Sequence, residues 1–289
     1  MSIDRTRHAV ERMIETLACP AYEIGIKTDR MQNRPVGADK VLNLIPLLRY
    51  ENSAARDAHI YIRPRGDHNR RFTLLDDLTQ ETVDRLHKEG YTPSALVETS
   101  PGNFQAWLKH ARPLEGRLAT LAAHTLAERF GADLSAAGWM RYGRLPGFTN
   151  RKPDYRKPDG NFPFVLLRST RTGPFPMAEI LYMELTNHLQ LQEEQQAQAR
   201  AQIRERLSHA RGREVQKRAL SHYRNLPKYH GDPKSADIAF CVFNLALGIS
   251  ESELAADLDT NYLSRNPDSR KRAAYIQRTI RKAAAYVAA

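Results

Sequence analysis

The stretch Phe72-Thr-Leu-Leu-Asp76-Asp77-Leu78 constrains this chain more than any other. An apolar run of this length reads as a buried strand, and it delivers two adjacent carboxylates just before a helix-starting Thr79. Neighbouring side chains on a strand point to opposite faces, so Asp76 and Asp77 can serve one cleft only where the strand twists or stops. Two carboxylates on a rigid element suit a hard divalent cation, because Mg²⁺ takes one or two carboxylates and fills its other positions with water and phosphate. The alternative is that Asp77 does no more than cap the helix expected from Thr79 to Gly90.

The flanking elements alternate. Residues 4–17 predict an amphipathic helix through Val10, Met13, Ile14 and Leu17, ended by Pro20, and Tyr22–Lys27 then alternates as a strand. A second helix is expected from Ala38 to Leu48, and a second strand from His59 to Arg63, closed by Pro64. The polar Arg65–Arg71 segment reads as a hairpin-like loop, making this strand an antiparallel neighbour of the Asp76 strand. Further on, Ala95–Ser100 and Phe104–Lys109 read as a hairpin around Pro101-Gly102-Asn103, and Leu114–Phe130 as a helix stopped by Gly131. Trp107, inside the second hairpin strand, is expected in the core. Strands mixed with helices in this order predict an α/β or α+β layer, not a bundle.

Charge narrows the choice of partner. The 289 residues carry a formal net charge of +11, which favours a polyanion. From Arg141 to Arg171 there are eight Lys or Arg against two acids, interleaved with Tyr142, Phe148 and Tyr155. Such a mixture neutralises phosphates and stacks bases. Cys19 and Cys241 are the only cysteines and have no ligand-spaced neighbours, so neither a zinc site nor a disulfide framework is expected, and a reducing cytoplasm is. No apolar run approaches the ~18 residues of a membrane span. Residues 178–224 predict one long polar connecting helix, and 225–289 a small helical bundle whose last helix, from Asp268, is cationic through Arg270, Lys271, Arg272, Arg278, Arg281 and Lys282. Asp133 sits in a bland segment where a capping role is the ordinary reading.

Three stretches in register carry a resemblance: Ile60-Tyr-Ile-Arg-Pro64 with Leu75-Asp76-Asp77-Leu78; Val97-Glu-Thr-Ser100-Pro-Gly-Asn103-Phe-Gln105-Ala-Trp107; and Asp133 with Tyr142-Gly-Arg144-Leu-Pro-Gly147-Phe-Thr-Asn-Arg151-Lys152. Together they resemble the RepB-prime type DNA primase of IncQ-like mobilisable plasmids, a divergent branch of the archaeo-eukaryotic primase superfamily. The resemblance implies a primase-polymerase-like α/β (α+β) catalytic domain over 1–177, a connecting helix over 178–224 and a helical bundle over 225–289. It places Asp76, Asp77 and Asp133 on the catalytic carboxylates that hold two Mg²⁺ or Mn²⁺ ions, and Ser100, Asn103, Gln105, Arg144 and Lys152 around the nucleotide. The superfamily usually carries His where this chain has Gln105, and an amide can still donate a hydrogen bond there. Arg141, Tyr142, Arg151, Arg156, Lys157, Arg272 and Arg278 are the candidate DNA contacts. The implied activity is primer synthesis de novo on single-stranded DNA at plasmid origins, including an origin hairpin. Nucleoside triphosphates are the substrates, a replicative helicase or relaxase a further partner, and the protein is expected to be a monomer.

Two other functions fit the same residues. One is a non-catalytic replication-initiation or mobilisation protein whose acids are structural. The other is a metal-dependent nuclease, which is weakened because no general base or Tyr/His cluster accompanies the carboxylates in the sequence.

Overall fold

The computed structural model describes residues 4–210, 217–262 and 268–288, and the chain divides into two compact units, Met1–Leu189 and Gln190–Ala289. Unit 1 holds two four-stranded sheets. The first contains β1 (Ala21–Lys27), β2 (Met31–Gly37), β3 (His59–Pro64) and the two-residue β7 (Gly143–Arg144), in the order β2-β1-β3-β7. The second contains β4 (Phe72–Leu78), β5 (Ala95–Ser100), β6 (Asn103–Lys109) and β8 (Leu166–Thr170), in the order β4-β6-β5-β8. Every pairing is antiparallel.

The burial patterns explain the apolar runs. β3 alternates strictly, because only one face of its sheet meets the core, through Ile60 and Ile62. β4, β5 and β6 are instead apolar on both faces. Leu74, Val97 and Trp107 join a core with the first sheet and α1 (Arg5–Leu17). Leu75, Leu96 and Leu108 face a second core under α3 (Gln80–Lys88), α4 (Gly116–Phe130) and the first turns of α5 (Ala178–Ala210).

Several expectations need correction. β3 and β4 are not neighbours: they belong to different sheets, because Gly66–Arg71 forms a 3₁₀ turn that hands the chain from one sheet to the other. The Ala38–Leu48 helix is a 3₁₀ segment (Ala38–Leu44) followed by α2 (Ile45–Glu51). Pro46 cannot donate to an i−4 carbonyl, so the α-helix begins around it. Nor does one helix run from Ala178 to Arg224. α5 is described to Ala210, residues 211–216 lie outside the described residues, and Ala219 is extended.

In unit 2, α6 (Leu220–Arg224), α7 (Pro233–Ala246), α8 (Glu251–Tyr262) and α9 (Ser269–Ala288) enclose a third core built on Leu220, Tyr223, Phe240, Leu254 and Ile276. Leu220 and Tyr223 belong to that core, which is why this stretch behaves as bundle and not as strut. Buried Asp237 ties three of the helices, accepting from Arg224 Nε at 2.9 Å and from the Tyr275 hydroxyl at 2.9 Å.

Candidate active site

β4 does not end as a regular strand. Its pairing with β6 slips between Leu75 and Leu78, and Asp77 takes φ +63° within that bulge. A left-handed φ is uncommon outside glycine and marks a backbone held by its surroundings. Asp76 Oδ1 accepts the Asp77 N–H at 2.8 Å and the Gln105 amide at 3.0 Å, and Asp77 itself receives the Asn103 amide. Asp77 caps nothing: the α3 cap is Thr79, whose hydroxyl accepts the Thr82 N–H at 3.2 Å.

Asp133 arrives from the far end of α4. Gly131, at φ +66°, ends that helix, and the Asp133 N–H then donates to the Asp76 carbonyl at 3.1 Å. The backbone of the third acidic residue is thereby fastened beside the bulge. Its oxygens accept the Ser135 N–H and hydroxyl at 2.8 and 2.9 Å, so the capping role is real as well. The Ser135 hydroxyl, then its N–H, hold the Asp133 carboxyl below its ordinary range, and the Arg141 guanidinium adds to this.

Gln105 connects the two sheets. While its amide N–H reaches Asp76, its carbonyl accepts the Arg144 N–H at 2.8 Å. Arg144 pairs in register with Tyr61, so both side chains share one face of the first sheet, and the guanidinium lies over the tyrosine ring at 5.2 Å. Its Nη1 also meets His59 Nδ1 at 3.0 Å. Burial, then Arg144 beside it, push the His59 imidazole down to about 4, so it is neutral at pH 7 and accepts this bond. Arg144 is only 5% exposed; burial pulls its guanidinium down, while Tyr61 and Asp76 pull the other way.

The β5–β6 turn is pinned at several points. Gly102, at φ +77°, donates its N–H to Glu98 at 3.1 Å, and Glu98 is held in turn by Arg168 of β8. Asn150, almost fully buried, donates to the Thr99 carbonyl at 2.8 Å and accepts the Lys152 N–H at 3.3 Å. Ser100 is buried beneath the turn, while Lys152 is exposed and near enough to depress His59.

The sequence candidates therefore sort in space. Asp76, Asp77, Asp133, Asn103, Gln105 and Arg144 are joined by the bonds above. Three DNA-contact candidates are held by acidic partners. The Tyr142 hydroxyl donates to Glu23 at 2.8 Å under the Arg63 guanidinium, Arg151 pairs with Asp57 at 2.7 Å, and Arg272 pairs with Asp259 at 2.5 Å inside the bundle. Arg141, Arg156, Lys157 and Arg278 are exposed. His59, Tyr61, Glu98, Asn150 and Arg168 were not singled out. Two of them had a signal: His59 and Tyr61 share a face by period two, and Glu98 is a charge inside a buried apolar strand.

Among the described residues, no three His, Cys, Asp or Glu side chains are gathered into a ready-made metal cage. The donor chemistry nonetheless fits a hard divalent ion. Asp76, Asp77 and Asp133 are linked through their backbones and offer oxygen donors alone, and an ion that arrives with a triphosphate requires few protein oxygens.

A family model described as the RepB DNA-primase N-terminal domain matches residues 9–198. The chain belongs to this family. Mobilization protein A of Escherichia coli is 32% identical over 295 residues, covering 98% of this chain and 41% of that protein. A DNA primase of Acidithiobacillus ferrooxidans is 31% identical over 158 residues, covering 52% of this chain and 42% of that protein. This RepB-type chain thus spans about two fifths of the length of these curated relatives. Among solved structures, primase RepB′ matches with a TM-score of 0.65 at 31% identity, covering 96% of this chain and 94% of that one. The catalytic domain of primase RepB′, in complex with initiator DNA, matches with a TM-score of 0.61 at 35% identity, covering 66% and 99%. The two sheets with their flanking helices are a RepB-type primase catalytic fold.

Proposed function

We propose that this chain synthesises short primers de novo on single-stranded DNA, by template-directed nucleotidyl transfer at plasmid or mobile-element origins. The observation that supports the reading is the Asp133 N–H bonded to the Asp76 carbonyl at the Asp77 bulge, which ties the backbones of three acidic residues together near a buried arginine. The names of the relatives support it, since one curated relative is a DNA primase, two solved structures are of primase RepB′, and one of those structures contains initiator DNA. The name Mobilization protein A is in keeping with a role on a mobilisable element.

The residues divide the work as follows. Asp76, Asp77 and Asp133 would hold two Mg²⁺ or Mn²⁺ ions. When bound, these supply Lewis-acid stabilisation of the attacking 3′-hydroxyl and the leaving pyrophosphate. Phosphoryl transfer otherwise asks for positioning and electrostatics. The Asn103 amide fixes Asp77, and Gln105 fixes Asp76 relative to Arg144. Arg144, preorganised by His59 and Tyr61, and the exposed Lys152 present positive charge to the triphosphate. The Ser100–Asn103 turn, held by Glu98 and Asn150, lets phosphates approach the backbone. We assign the chemistry to residues before Lys157, and to the basic bundle a part in holding template during the two-nucleotide start.

The test is incubation with single-stranded origin DNA, nucleoside triphosphates and Mg²⁺ or Mn²⁺. New labelled oligomers support priming. Shortened template would mean a nuclease, and a mobility shift with neither product would mean a binding module.

A further inference from the structure

We propose that unit 1 carries a second nucleic-acid surface outside the carboxylate cleft, a lane centred on Phe164 that takes single-stranded DNA. The proposal rests on the priming reading only in naming the strand as template. Phe164 stands just before edge strand β8, bridged to Thr149, and is 58% exposed. On one side lies a hollow of about 620 Å³, walled by Arg151, Arg156, Lys157 and Phe162. On the other, a hollow of about 330 Å³ runs between β8 and α1, past Arg5 and Arg12. Phe164 lines both, so a strand crossing its ring would pass from one hollow to the other.

The lane is built before any ligand arrives. Asn150 donates its N–H to the Pro163 carbonyl at 2.8 Å, closing the excursion between them, and Gly147 donates to Val165 at 2.9 Å. Arg12 reaches the Thr170 hydroxyl at 2.8 Å and braces α1 against β8. Both acids in the larger hollow are engaged. Asp57 takes Arg151, and Asp159 accepts the Asn161 N–H and amide at 2.9 and 3.1 Å. Asp57 is thus offset by Arg151, and against the one charge that Asp159 keeps the rim carries the exposed cations Arg5, Arg156 and Lys157.

An exposed aromatic ring with cations on either side selects an unpaired base between two phosphates. Stacking needs a free π-face, which a duplex does not offer, and the cations follow the backbone. Sheet order separates β8 from β4 by three strand spacings, about 14 Å, so the lane is separate from the carboxylates yet within reach of the same strand.

The test measures binding of labelled homopolymeric single strands and of a duplex across a salt series, using Phe164→Ala, Phe164→Tyr and the double variant Arg156→Glu/Lys157→Glu. Phe164→Ala is expected to weaken single-strand affinity about five- to a hundredfold, with Phe164→Tyr close to the parent and duplex affinity little changed. The double charge reversal is expected to flatten the salt slope by about 1.4, two phosphate contacts' worth on a single strand. Single-strand affinity unchanged in both Ala and charge-reversal variants, or an equal loss on duplex after Phe164→Ala, overturns the lane. Wild-type primer synthesis is assayed separately. A protein that made no primers but lost strand affinity with Phe164→Ala would sink the priming reading and leave the lane standing.

Discussion

A methyl group at Gly143 is a stringent probe of how the fold places the site. A Cβ there would lie 2.5 Å from Trp107 Cζ2, 2.9 Å from Cε2 and 3.0 Å from Nε1. Carbon atoms are comfortable at about 3.5–4.0 Å, so the strand or the ring must yield by roughly 1 Å. The ring cannot retreat easily, being 1% exposed and packed edge-on against Phe72 at 6.1 Å between centroids. β7 is the weaker partner, a two-residue strand at the edge of its sheet, paired with β3 at Gly143 and Arg144 and continued by the Leu145 N–H to the Ile60 carbonyl. Gly143→Ala should therefore cost about 1–3 kcal/mol from overpacking, with about 1 kcal/mol more if the Arg144 to Gln105 bond is broken. For a unit of this size that is a fall of roughly 2–16 °C in Tm. Primer synthesis should fall further than stability alone explains, because Arg144 moves with the strand. Urea unfolding followed by circular dichroism gives the free energy, and priming assays at a temperature where the variant is folded give the rest. The double variant Gly143→Ala/Trp107→Leu should be more stable than additivity predicts by at least about 1 kcal/mol. An unchanged urea midpoint in the single variant, or strict additivity in the double, would refute the close packing of β7 on Trp107.

Three further outcomes are expected. Asp76→Asn and Asp133→Asn should each lower primer synthesis at least about a hundredfold, since even groups that merely support metal ligands are worth ten- to a hundredfold; retained priming would remove the carboxylates from the chemistry. Burial pushes His110, bonded to the Thr73 hydroxyl at 2.9 Å, down to about 4, so between pH 6.5 and 4 the unfolded chain binds a proton that the folded one refuses. Stability is then full above pH 6.5 and drops by up to about 3 kcal/mol as the pH falls through that window, and His110→Asn should show a smaller drop in urea midpoint between pH 7.5 and 4.5. Asp237→Ala should destabilise the bundle by about 3–5 kcal/mol, because it leaves Arg224 without its buried partner; a bundle melting as before would contradict that role.

Much of this was legible because it depends on local pattern. The β5–β6 hairpin, α4 with its stopping Gly131, and the apolar β4 run ending in carboxylates all follow from periodicity and turn chemistry. Asp268 opens α9 by accepting the Arg270 N–H at 3.0 Å, and Ser250, three residues before Glu253 in the Ser-x-x-Glu pattern of a capping box, accepts the Glu253 N–H at 3.2 Å. The Glu253 carboxylate, however, reaches Lys217 and not back to the cap. What stayed hidden depends on partners far along the chain. β2 is almost wholly exposed and contains Pro35, so it has no apolar period to reveal it. β7 is too short for any pattern, and β8 is an edge strand with a mixed face. The engagement of Tyr142 by Glu23 and of Arg151 by Asp57 spans 119 and 94 residues, and no window of sequence contains it. Three carboxylates could be named from their setting and the resemblance, but the hydrogen bond that brings Asp133 to Asp76 is a tertiary fact.

The left-handed turn of the backbone at Asp77 also decides which acidic residue this position can hold. Aspartate and asparagine tolerate that conformation far better than longer side chains, because their short polar groups bond locally. A glutamate would carry the same charge to position 77 but meet the full steric penalty, whereas Asp76 precedes the turn and is under no such rule. Substituting Asp77 by Glu would therefore combine a backbone cost with a displaced carboxylate. Among relatives that keep this bulge, the second acid of the pair should vary towards Asn or Gly when it varies at all, and the first towards Glu.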